Sequence, residues 1–299
     1  MRIATFNLQN MRLRGSHLDG ARDSDVPEDL GDAARSLDPD DRRLSAQVIR
    51  DTNADVIALQ EVFDQATLDH FHDAYLAPLG VSYPHRLCLP GNDGRGLDVA
   101  VMSRVPLHAP QSHAQETPAS LGLPLPEPDQ PVFRRDVLRL GIGPLTLFVC
   151  HLKAPYPETQ RTWDIRRSEA TALRHLVTRS QDPNDLWLII GDLNEPVRSP
   201  DRPRVVALLE EIAVDLIARL PQPERWSWHN PHTHLYGRPD AMLASPALAR
   251  RFPDARPEIV REGMSLETHR NPGPHLPQVG HHRPHASDHA AVVIEFPGL

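Results

Sequence analysis

Two polar side chains follow an apolar run in the stretch LWLIIGDLNEP, residues 186–196. Asp192 and Asn194 are two residues apart, so on an extended backbone they face the same side. One of them can orient a water molecule while the other contacts a phosphate group. Gly191 lacks a Cβ and lets backbone or substrate approach closely just before the carboxylate. The competing interpretation is an ordinary loop in which Asp192 caps a helix.

Further polar side chains occupy similar places, at the beginning or the end of other apolar runs. They are Asn7, Glu61, His151, Asp240, Asp288 and His289. Because one edge of a packed α/β sheet collects the catalytic groups, we expect these side chains to meet at a common rim. Each of them taken singly has an ordinary explanation as a solvated strand end, a turn residue or a hydrogen-bonded core histidine.

The set as a whole is typical of phosphate chemistry. Four members offer the hard oxygen ligands that Mg²⁺ or Mn²⁺ prefers: Asn7, Glu61, Asp192 and Asp288. Of two neutral histidines beside such an ion, one can act as an acid or base and the other can donate a hydrogen bond to a phosphoryl oxygen. Asp240 can fix the tautomer of His289, because a carboxylate that accepts from one ring nitrogen orients the imidazole.

Arg135 is a candidate for binding the substrate. It stands beside Arg134 on a predicted strand, so the two side chains point to opposite sides and one of them can reach a phosphate as a bidentate donor. The competing interpretation is an ion pair with Asp136.

Lys153 and Asp98 are two further candidate substrate contacts. Lys153 follows His151 by two residues and shares its side of the strand. Asp98, in GLDVAVMSR, either lies at the rim or pairs with Arg95. We therefore group both with Arg135 as substrate-binding candidates.

Two histidine-rich segments, HNPHTH (229–234) and HHRPH (281–285), carry side chains that can bind Zn²⁺ or Ni²⁺. No cysteine accompanies them and their spacing fits no standard zinc motif, so the sequence favours loops that are solvated or line the substrate. Trp226 and Trp228 alternate on a predicted strand, where they either stack on a substrate ring or pack at the rim.

The elements that must position these residues are short strands, helices and proline-rich loops in alternation. Apolar runs predict strands over residues 2–8, 55–62, 83–89, 97–103, 132–140, 145–152, 186–190, 225–230, 239–245 and 290–296. Helical spacing predicts helices over residues 42–53, 64–79, 159–179 and 203–219. Loop insertions are predicted near residues 11–41, 108–131 and 269–287. With no repeat of fixed period and no clean linker, we expect one mixed α/β domain over residues 1–299.

The overall composition narrows the choice of partners. The net charge of −8 gives no electrostatic footprint for tight nonspecific binding of nucleic acid, although a metal can still hold a polyanionic substrate. The sequence shows no signal peptide and no apolar run long enough to cross a bilayer, so we expect a cytoplasmic protein without a membrane partner. Cys88 and Cys150 lie in apolar runs and are expected to be buried thiols and not a disulfide. The sequence leaves the identity of any protein partner open.

Seven stretches in this order resemble the endonuclease/exonuclease/phosphatase superfamily, whose members are similar to deoxyribonuclease I. They are TFNLQN, ALQEV, LDVAVMSR, CHLKAP, IIGDLNEP, RPDAMLAS and SDHAAV. The resemblance covers residues 1–296, and its most specific parts are LQE, GDxN and SDH. It implies an α/β fold, a four-layer α/β sandwich in which two packed mixed β-sheets are flanked by helices.

The resemblance also implies a metal site. Asn7 and Glu61 would hold a divalent cation, Glu61 most directly, and Asp288 would be a further ligand or a group behind the ligands. The cation implied is Mg²⁺, with Mn²⁺ as the alternative.

The remaining residues receive catalytic roles by the same resemblance. His151 would contact the scissile phosphate, Asp192 would activate or position the attacking water, and Asn194 would contact the phosphate. Asp240 would pair with His289, the catalytic base or phosphate stabiliser. The implied reaction is metal-dependent hydrolysis of a phosphodiester or phosphomonoester by in-line attack of water.

Several functions remain open at this point. The substrate is a small or single-stranded nucleic acid, a phosphorylated metabolite or a lipid head group; a grip on duplex DNA is disfavoured by the absence of a Lys/Arg run and by an aromatic content of 5%. The alternative from another class is a catalytically inactive binding or scaffold protein of the same fold. A third option is a domain whose partner is a protein bound by the insertion at 11–41.

Overall fold

A computed structural model describes residues 1–23, 25–195, 204–230, 233–271 and 273–299. Its strands are β1 Arg2–Met11, β2 Leu13–Arg14, β3 His17–Leu18, β4 Val56–Val62, β5 His85–Cys88, β6 Asp98–Ser103, β7 His108–Ser112, β8 Val137–Ile142, β9 Leu145–His151, β10 Leu186–Asp192, β11 Val214–Asp215, β12 Trp228–Asn230, β13 Leu235–Gly237, β14 Asp240–Ala244, β15 Glu258–Val260 and β16 Ala291–Glu295. Its α-helices are α1 Asp32–Arg35, α2 Asp38–Thr52, α3 Gln65–Phe71, α4 Pro118–Leu121, α5 Gln160–Ser180, α6 Ala207–Glu210 and α7 Pro246–Arg251.

Two six-stranded sheets form the centre of the molecule. The first has the strand order β15-β16-β1-β4-β6-β5, and the second has the order β11-β14-β10-β9-β8-β7. Each sheet is mixed, because β1 pairs with β4 and β9 pairs with β10 in parallel while their other neighbours are antiparallel. The expected sandwich of two packed mixed sheets is confirmed.

Three apolar layers hold the sandwich together. Ile3, Val56 and Val99 of the first sheet pack against Leu147 and Ile190 of the second. The outer face of the first sheet is covered by α2 and α3, and that of the second sheet by α5 and α6. Because the central strands are buried on both faces, they read as continuous apolar runs without the alternation of a half-exposed strand. That is why LWLII predicted a strand correctly.

The helix α2 begins at Asp38, four residues before the predicted start. Pro39 at its first turn has a φ already suited to a helix, and the acidic residues Asp38, Asp40 and Asp41 complement the helix dipole there. The helix ends at Thr52, and its C-cap residue Asn53 adopts the left-handed conformation with a φ of 45°.

The predicted helix over 203–219 is wrong for the residues that the structure describes, which begin at 204. Only α6 is α-helical, and it is followed by β11 and by a 3-10 turn over Ile217–Arg219. Leu209 packs on the outer face of the second sheet, whereas Leu216 and Ile217 enter the layer between the sheets. These apolar residues pack in two different cores, but their spacing in the sequence is that of one amphipathic helix, which explains the wrong prediction.

Two of the three expected loop insertions contain regular structure. The segment 11–41 holds the β2–β3 hairpin, α1 and the first turn of α2. The segment 108–131 holds β7 and α4; Pro110 is tolerated because β7 is the edge strand of its sheet, and Thr117 and Ser120 form a capping box for α4. Residues 269–287 contain no helix or strand, leaving aside Pro272, which is not described.

Gly191 is required by the close approach of two strands. Its φ is 134°, and a Cβ at this position would lie 2.1 Å from the carbonyl oxygen of Cys150 on β9. The sequence predicted that backbone or substrate approaches closely at this glycine, and the group that does so in the structure is the backbone of the neighbouring strand.

Both cysteines are buried free thiols, as the sequence predicted. No helix in the described part of the chain has both the length and the apolar character needed to cross a membrane.

His282 ties the insertion near the N-terminus to the last long loop. Its Nε2 lies 3.1 Å from Asp29 Oδ1 and its Nδ1 lies 3.2 Å from Glu267 Oε2. The hydrogen bond with Asp29 is the largest influence, and together with Glu267 it raises the pKa of His282 to about 9. Because the pKa in the unfolded chain is near 6.5, this contact stabilises the fold fully below that pH and loses its effect as the pH rises towards 9.

Replacing His282 with glutamine is therefore expected to lower the free energy of unfolding by about 1–2 kcal/mol at about pH 6, a figure reduced from the full linkage value because the side chain is partly exposed. The difference from wild type should shrink as the pH rises to about 9.5, as measured by urea unfolding at both pH values. The exposed His17→Gln serves as control. A loss of stability that is the same at both pH values would refute the ion-pair explanation.

Candidate active site at the strand ends

The predicted site residues meet at one edge of the two sheets. In the second sheet, His151 at the end of β9 pairs with Asp192 at the end of β10, and Asp192 pairs with Asp240 at the start of β14. The register therefore sets three polar residues in a row on adjacent strands. Asn7 of the first sheet pairs with Gln60, the residue before Glu61.

Asn7 joins the two sheets. Its Nδ2 donates to Asp192 Oδ2 over 3.1 Å and to Glu61 Oε1 over 3.3 Å. Its Oδ1 accepts from the backbone N–H of Gln9 over 2.9 Å. A single buried amide thus sets the spacing between a carboxylate of each sheet.

Glu61 lies at a β-bulge in the left-handed conformation. Its φ is 64°, and the pairing of β4 with both neighbours shifts at this residue. Gln9, Asn10 and Asn194 nearby also have positive φ values of 45°, 58° and 52°. Residues other than glycine adopt this region at an energetic cost and concentrate at functional sites. The bulge turns the Glu61 side chain to the rim, where its Oε2 accepts from the N–H of Asn10 over 2.8 Å.

Asp192 Oδ2 lies at the centre of the cluster. Besides Asn7, it has His151 Nε2 at 3.6 Å and His289 Nε2 at 3.9 Å. Its other oxygen, Oδ1, accepts from the N–H of Asn194 over 2.7 Å. Burial raises the pKa of Asp192 to about 6, against the lowering influence of the His289 charge. A carboxylate with such a pKa is ionised at neutral pH and can still accept a proton.

His289 is held by a buried chain of polar groups. Its Nδ1 lies 2.9 Å from Asp240 Oδ2, which also accepts from Ser227 Oγ over 2.6 Å. Burial disfavours the imidazolium, but the charges of Asp240 and Asp288 outweigh it and raise the pKa of His289 well above its ordinary value. The ring therefore carries a proton at neutral pH and can donate from both nitrogens.

His151 has the opposite character. It is buried, and burial together with the charges of Arg135 and His289 lowers the pKa of its imidazole well below the ordinary value. Its Nε2 lies 4.0 Å from Glu61 Oε1, in addition to its approach to Asp192. The site thus pairs one neutral with one charged histidine, whereas the sequence suggested two neutral ones.

Asn194 and Asp288 lie at the margins of the cluster. Asn194 Nδ2 donates to the carbonyl of Leu152 over 3.0 Å, which ties it to the end of β9. Asp288 Oδ2 accepts from Trp228 Nε1 over 3.0 Å. Trp228 therefore orients a carboxylate of the site, a role that neither stacking nor packing had suggested.

Ser227 is a site residue that the sequence reasoning missed. It stands between Trp226 and Trp228, and on an extended backbone it points away from both. The alternation in RWSWHN was the available signal, because a serine on the opposite side of a strand from two tryptophans needs a polar partner if it is buried.

Arg135 is buried and serves the backbone. Its Nη1 donates to the carbonyl of Leu152 over 3.2 Å, and its Nε lies 3.0 Å from Asp93 Oδ2. The sequence offered an ion pair with Asp136 as the alternative to a substrate contact, whereas the structure shows an ion pair with Asp93. The guanidinium supports the chain next to His151 and does not reach the rim directly.

Lys153 and Asp98 differ in their closeness to the cluster. Lys153 Nζ donates to the carbonyls of Ala154 and Tyr156, over 3.0 and 2.5 Å, so it is turned into its own loop. Asp98 pairs across the sheet with Val62, next to Glu61, and its carboxylate faces the backbone of Gly91. Burial raises the pKa of Asp98 to about 6. Arg95, its alternative partner, pairs with Asp93.

The histidine-rich segments form no metal centre in the described part of the chain. No three His, Cys, Asp or Glu side chains there converge in a way that could hold an ion. The rings of His229 and His234 lie 6.1 Å apart, and those of His282 and His285 lie at the same distance. His232 of the first segment lies outside the described residues.

Glu61 nevertheless fits a magnesium ion held by few protein ligands, whereas Asn7 turns its amide nitrogen to Glu61 and its Oδ1 to the N–H of Gln9. Glu61 Oε1 lies beside the Asn7 amide, 17% of the Glu61 side chain is exposed at the rim, and no Lys or Arg nitrogen among the described residues lies within 4.0 Å of it. Mg²⁺ keeps several waters and takes one or two carboxylates together with substrate phosphate oxygens. A partly exposed carboxylate without a cationic partner suits that coordination.

Comparison with known proteins identifies a family and a fold. A family model described as "Endonuclease/Exonuclease/phosphatase family" matches residues 4–289. No curated protein sequence matches the chain.

Solved structures resemble the whole chain at low identity. An AP endonuclease from Archaeoglobus fulgidus has a TM-score of 0.61 and 18% identity, with 99% of each chain covered. A 3'-5' exonuclease (NExo) from Neisseria meningitidis has a TM-score of 0.56 and 20% identity, again with 99% of each chain covered. A truncated TDP2 from Caenorhabditis elegans has a TM-score of 0.57 and 17% identity, covering 98% of this chain and 96% of its own. At these identities the likeness establishes a shared fold.

Proposed function

Because the chain belongs to the endonuclease/exonuclease/phosphatase family, we propose that it hydrolyses a phosphate ester with the help of a divalent cation, Mg²⁺ or Mn²⁺. One observation carries the proposal: a carboxylate with a raised pKa, Asp192, lies between a neutral and a charged histidine and is bonded to an amide that also contacts Glu61. Such a group of donors and acceptors is suited to binding a phosphoryl group and activating water beside it.

Glu61 would hold the cation, and Asn7 would orient the Glu61 carboxylate through Nδ2. The cation would neutralise phosphate charge and polarise a phosphoryl oxygen. Asp192 accepts the proton of the attacking water at Oδ2. Its Oδ1 is occupied by the Asn194 N–H, whereas Oδ2 accepts one hydrogen bond from Asn7 and has a second lone pair for the water proton.

The two histidines act on the phosphoryl oxygens in this proposal. His289 donates from Nε2, while its Nδ1–H is held by Asp240 and the ring cannot turn away. His151, which is neutral, offers Nε2 on the other side of Asp192. Donors that are already oriented stabilise the charge of a phosphoryl transition state without reorganisation.

The site draws residues from Asn7 to His289, which supports a single working domain over residues 1–299. Buried free thiols suit a reducing compartment, so we propose the cytoplasm as the location. The partner that this function requires is a phosphate-ester substrate, with nucleic acid as one class to be tested.

A substrate panel tests the proposal. Bis-p-nitrophenyl phosphate, p-nitrophenyl phosphate and a fluorescent single-stranded oligonucleotide are incubated with Mg²⁺, Mn²⁺ or EDTA. Turnover that EDTA abolishes on at least one of them is expected, and the preferred compound separates diesterase, monoesterase and nuclease activity. Folded protein without metal-dependent turnover on any of them would favour an inactive binding protein instead.

Replacing Glu61 with glutamine is expected to raise the Mg²⁺ concentration for half-maximal activity about 10–100-fold, because a neutral amide binds a hard cation more weakly than a carboxylate does. Glutamine Oε1 can still accept from Asn10 N–H, so the bulge should persist. A magnesium titration of the initial rate gives the measurement. Glu295→Gln, at the far end of β16 in the same sheet, is the matched control, and an unchanged titration curve for Glu61→Gln would remove Glu61 from the metal site.

A further inference from the structure

The helix α5 directs two charged side chains at the sheet behind the site. Arg166 and Glu169 are three residues apart and so share one face of the helix. Both are fully buried, at 0% exposure. Burying charged groups is unfavourable unless they are paired and hydrogen-bonded, and apolar residues of similar size often serve stability equally well. The partners of this pair therefore indicate what it is used for.

Glu169 holds two backbone segments at the edge of the second sheet, one that follows β9 and one that precedes β8. Its Oε2 accepts from the N–H of Lys153 over 2.7 Å, and its Oε1 accepts from the N–H of Arg134 over 2.9 Å. Lys153 comes two residues after His151, just beyond the end of β9. Arg134 precedes Arg135, which itself donates to Leu152.

Arg166 holds the same segment and the adjacent one. Its Nη1 donates to the carbonyl of Lys153 and, over 3.3 Å, to the carbonyl of Leu193. Its Nη2 lies 3.6 Å from Glu195 Oε2, which accepts from the N–H of Val206. The N–H and the C=O of Lys153 are thus bound by two neighbouring side chains of α5.

These contacts lie just beyond the paired residues of β9 and β10. The N–H groups of Leu152 and Leu193 still donate to the carbonyls of Asp192 and Pro239, whereas the N–H and C=O of Lys153 and the carbonyl of Leu193 are bound by α5. Leu193 separates Asp192 from Asn194, so a bond to its carbonyl fixes the backbone from which both side chains project. Asn194 in turn donates to Leu152, which joins the two strand ends.

We propose that Arg166 and Glu169 are positioning residues for catalysis, which fix the spacing of His151 and Asn194 around the substrate phosphate through the backbone of Lys153 and Leu193. This inference rests on the function proposed above. A displacement of a reacting group by about 1 Å can cost about 10²-fold in rate, so two buried charges that fix this spacing act on kcat.

Mild substitutions test the proposal. Glu169→Gln keeps the size of the side chain but leaves one N–H without its acceptor. Arg166→Lys keeps the charge but lacks the planar guanidinium whose Nη1 binds the two carbonyls while Nη2 lies beside Glu195. Each is expected to lower kcat about 10–100-fold while KM changes by less than about threefold. Arg167→Lys, on the exposed face of the same helix, is the matched control and should match wild type.

A double substitution separates positioning from general support of the fold. If Arg166 acts through the backbone beside Asn194, then Arg166→Lys should cost much less in an Asn194→Ala background than in wild type. Equal costs in the two backgrounds, or kcat values for both single variants close to that of Arg167→Lys, would overturn the proposal.

Amide hydrogen exchange provides a readout that does not need a substrate. In Glu169→Gln, the amide of Lys153 is expected to exchange about tenfold faster or more, while amides in the middle of β9 and β10 keep their wild-type rates. Unchanged protection of Lys153 would contradict the proposed contact even if activity fell. If wild type hydrolyses nothing in the substrate panel, the proposed function and with it the catalytic role are wrong, and faster exchange at Lys153 alone would then indicate a purely structural clamp.

Discussion

Replacing Asp192 with asparagine is expected to lower kcat about 10³-fold, equivalent to about 4 kcal/mol of transition-state stabilisation. In the proposed mechanism Asp192 Oδ2 accepts the proton of the attacking water, and an amide cannot take that proton at neutral pH. The loss should fall on kcat and on kcat/KM alike, because binding of the substrate phosphate depends on other side chains.

The substitution should leave the fold intact. Asparagine Oδ1 can still accept from the N–H of Asn194. The hydrogen bond from Asn7 Nδ2 is lost, but the site no longer buries a carboxylate whose pKa burial had raised. Thermal unfolding is therefore expected to stay within a few degrees of wild type, as suits a change below about 1 kcal/mol in a chain of this size.

The measurement is a steady-state assay at saturating Mg²⁺ on the preferred substrate. Asp185→Asn is a matched control, because Asp185 is exposed at the opposite end of the same strand, before Leu186. An Asp192→Asn enzyme with kcat within about threefold of that control would eliminate Asp192 as the base.

Much of this site could be anticipated from the sequence because it lies at the ends of fully buried strands. A strand buried on both faces gives an apolar run, and the first polar residue after the run marks the sheet edge, as with His151 and Asp192. Two residues on one extended segment, such as Asp192 and Asn194, can be assigned to one side by alternation alone. The order of strands across the sheet then follows from the resemblance to a known fold.

The remaining features depend on tertiary contacts that alternation does not encode. Nothing in LQEV indicates that Glu61 forms a bulge in the left-handed conformation, since the cost of that conformation is offset by its neighbours in the folded chain. Arg166 and Glu169 read as polar positions of an amphipathic helix, and only the packing of α5 reveals that they face the strand ends. Arg135 was expected to contact the substrate, but in the structure its guanidinium contacts the carbonyl of Leu152 and the carboxylate of Asp93.

The protonation states of His151 and His289 could also not be predicted from the sequence. Residue type gives both the same ordinary pKa, and their neighbours separate them. Burial, aided by the Arg135 charge, lowers the pKa of His151 so that it loses its proton, whereas the charge of Asp240 outweighs burial and raises the pKa of His289 so that it keeps its proton. A pair whose protonation states diverge in this way can divide the work between donor and acceptor.

Replacing His289 with alanine is expected to lower kcat by about 10²-fold or more, because the site loses its charged donor to the phosphoryl group. Some loss of stability should accompany it, since Asp240 would remain buried with Ser227 Oγ as its only hydrogen-bonding partner among the described residues. The assay is therefore run well below the midpoint of thermal unfolding of the variant. His269→Ala, an exposed histidine of the same long loop, is the control.

Asp240 provides the means to separate chemistry from packing in that result. If Asp240 acts only by holding His289 charged and oriented, Asp240→Asn should slow wild type about tenfold or more and slow His289→Ala by less than about twofold. Kinetics of the two single variants and the double variant form the cycle. Near-wild-type turnover of His289→Ala would remove His289 from the reaction. If Asp240→Asn lowered kcat in the His289→Ala variant as much as it does in wild type, Asp240 would contribute by a route other than the His289 imidazole.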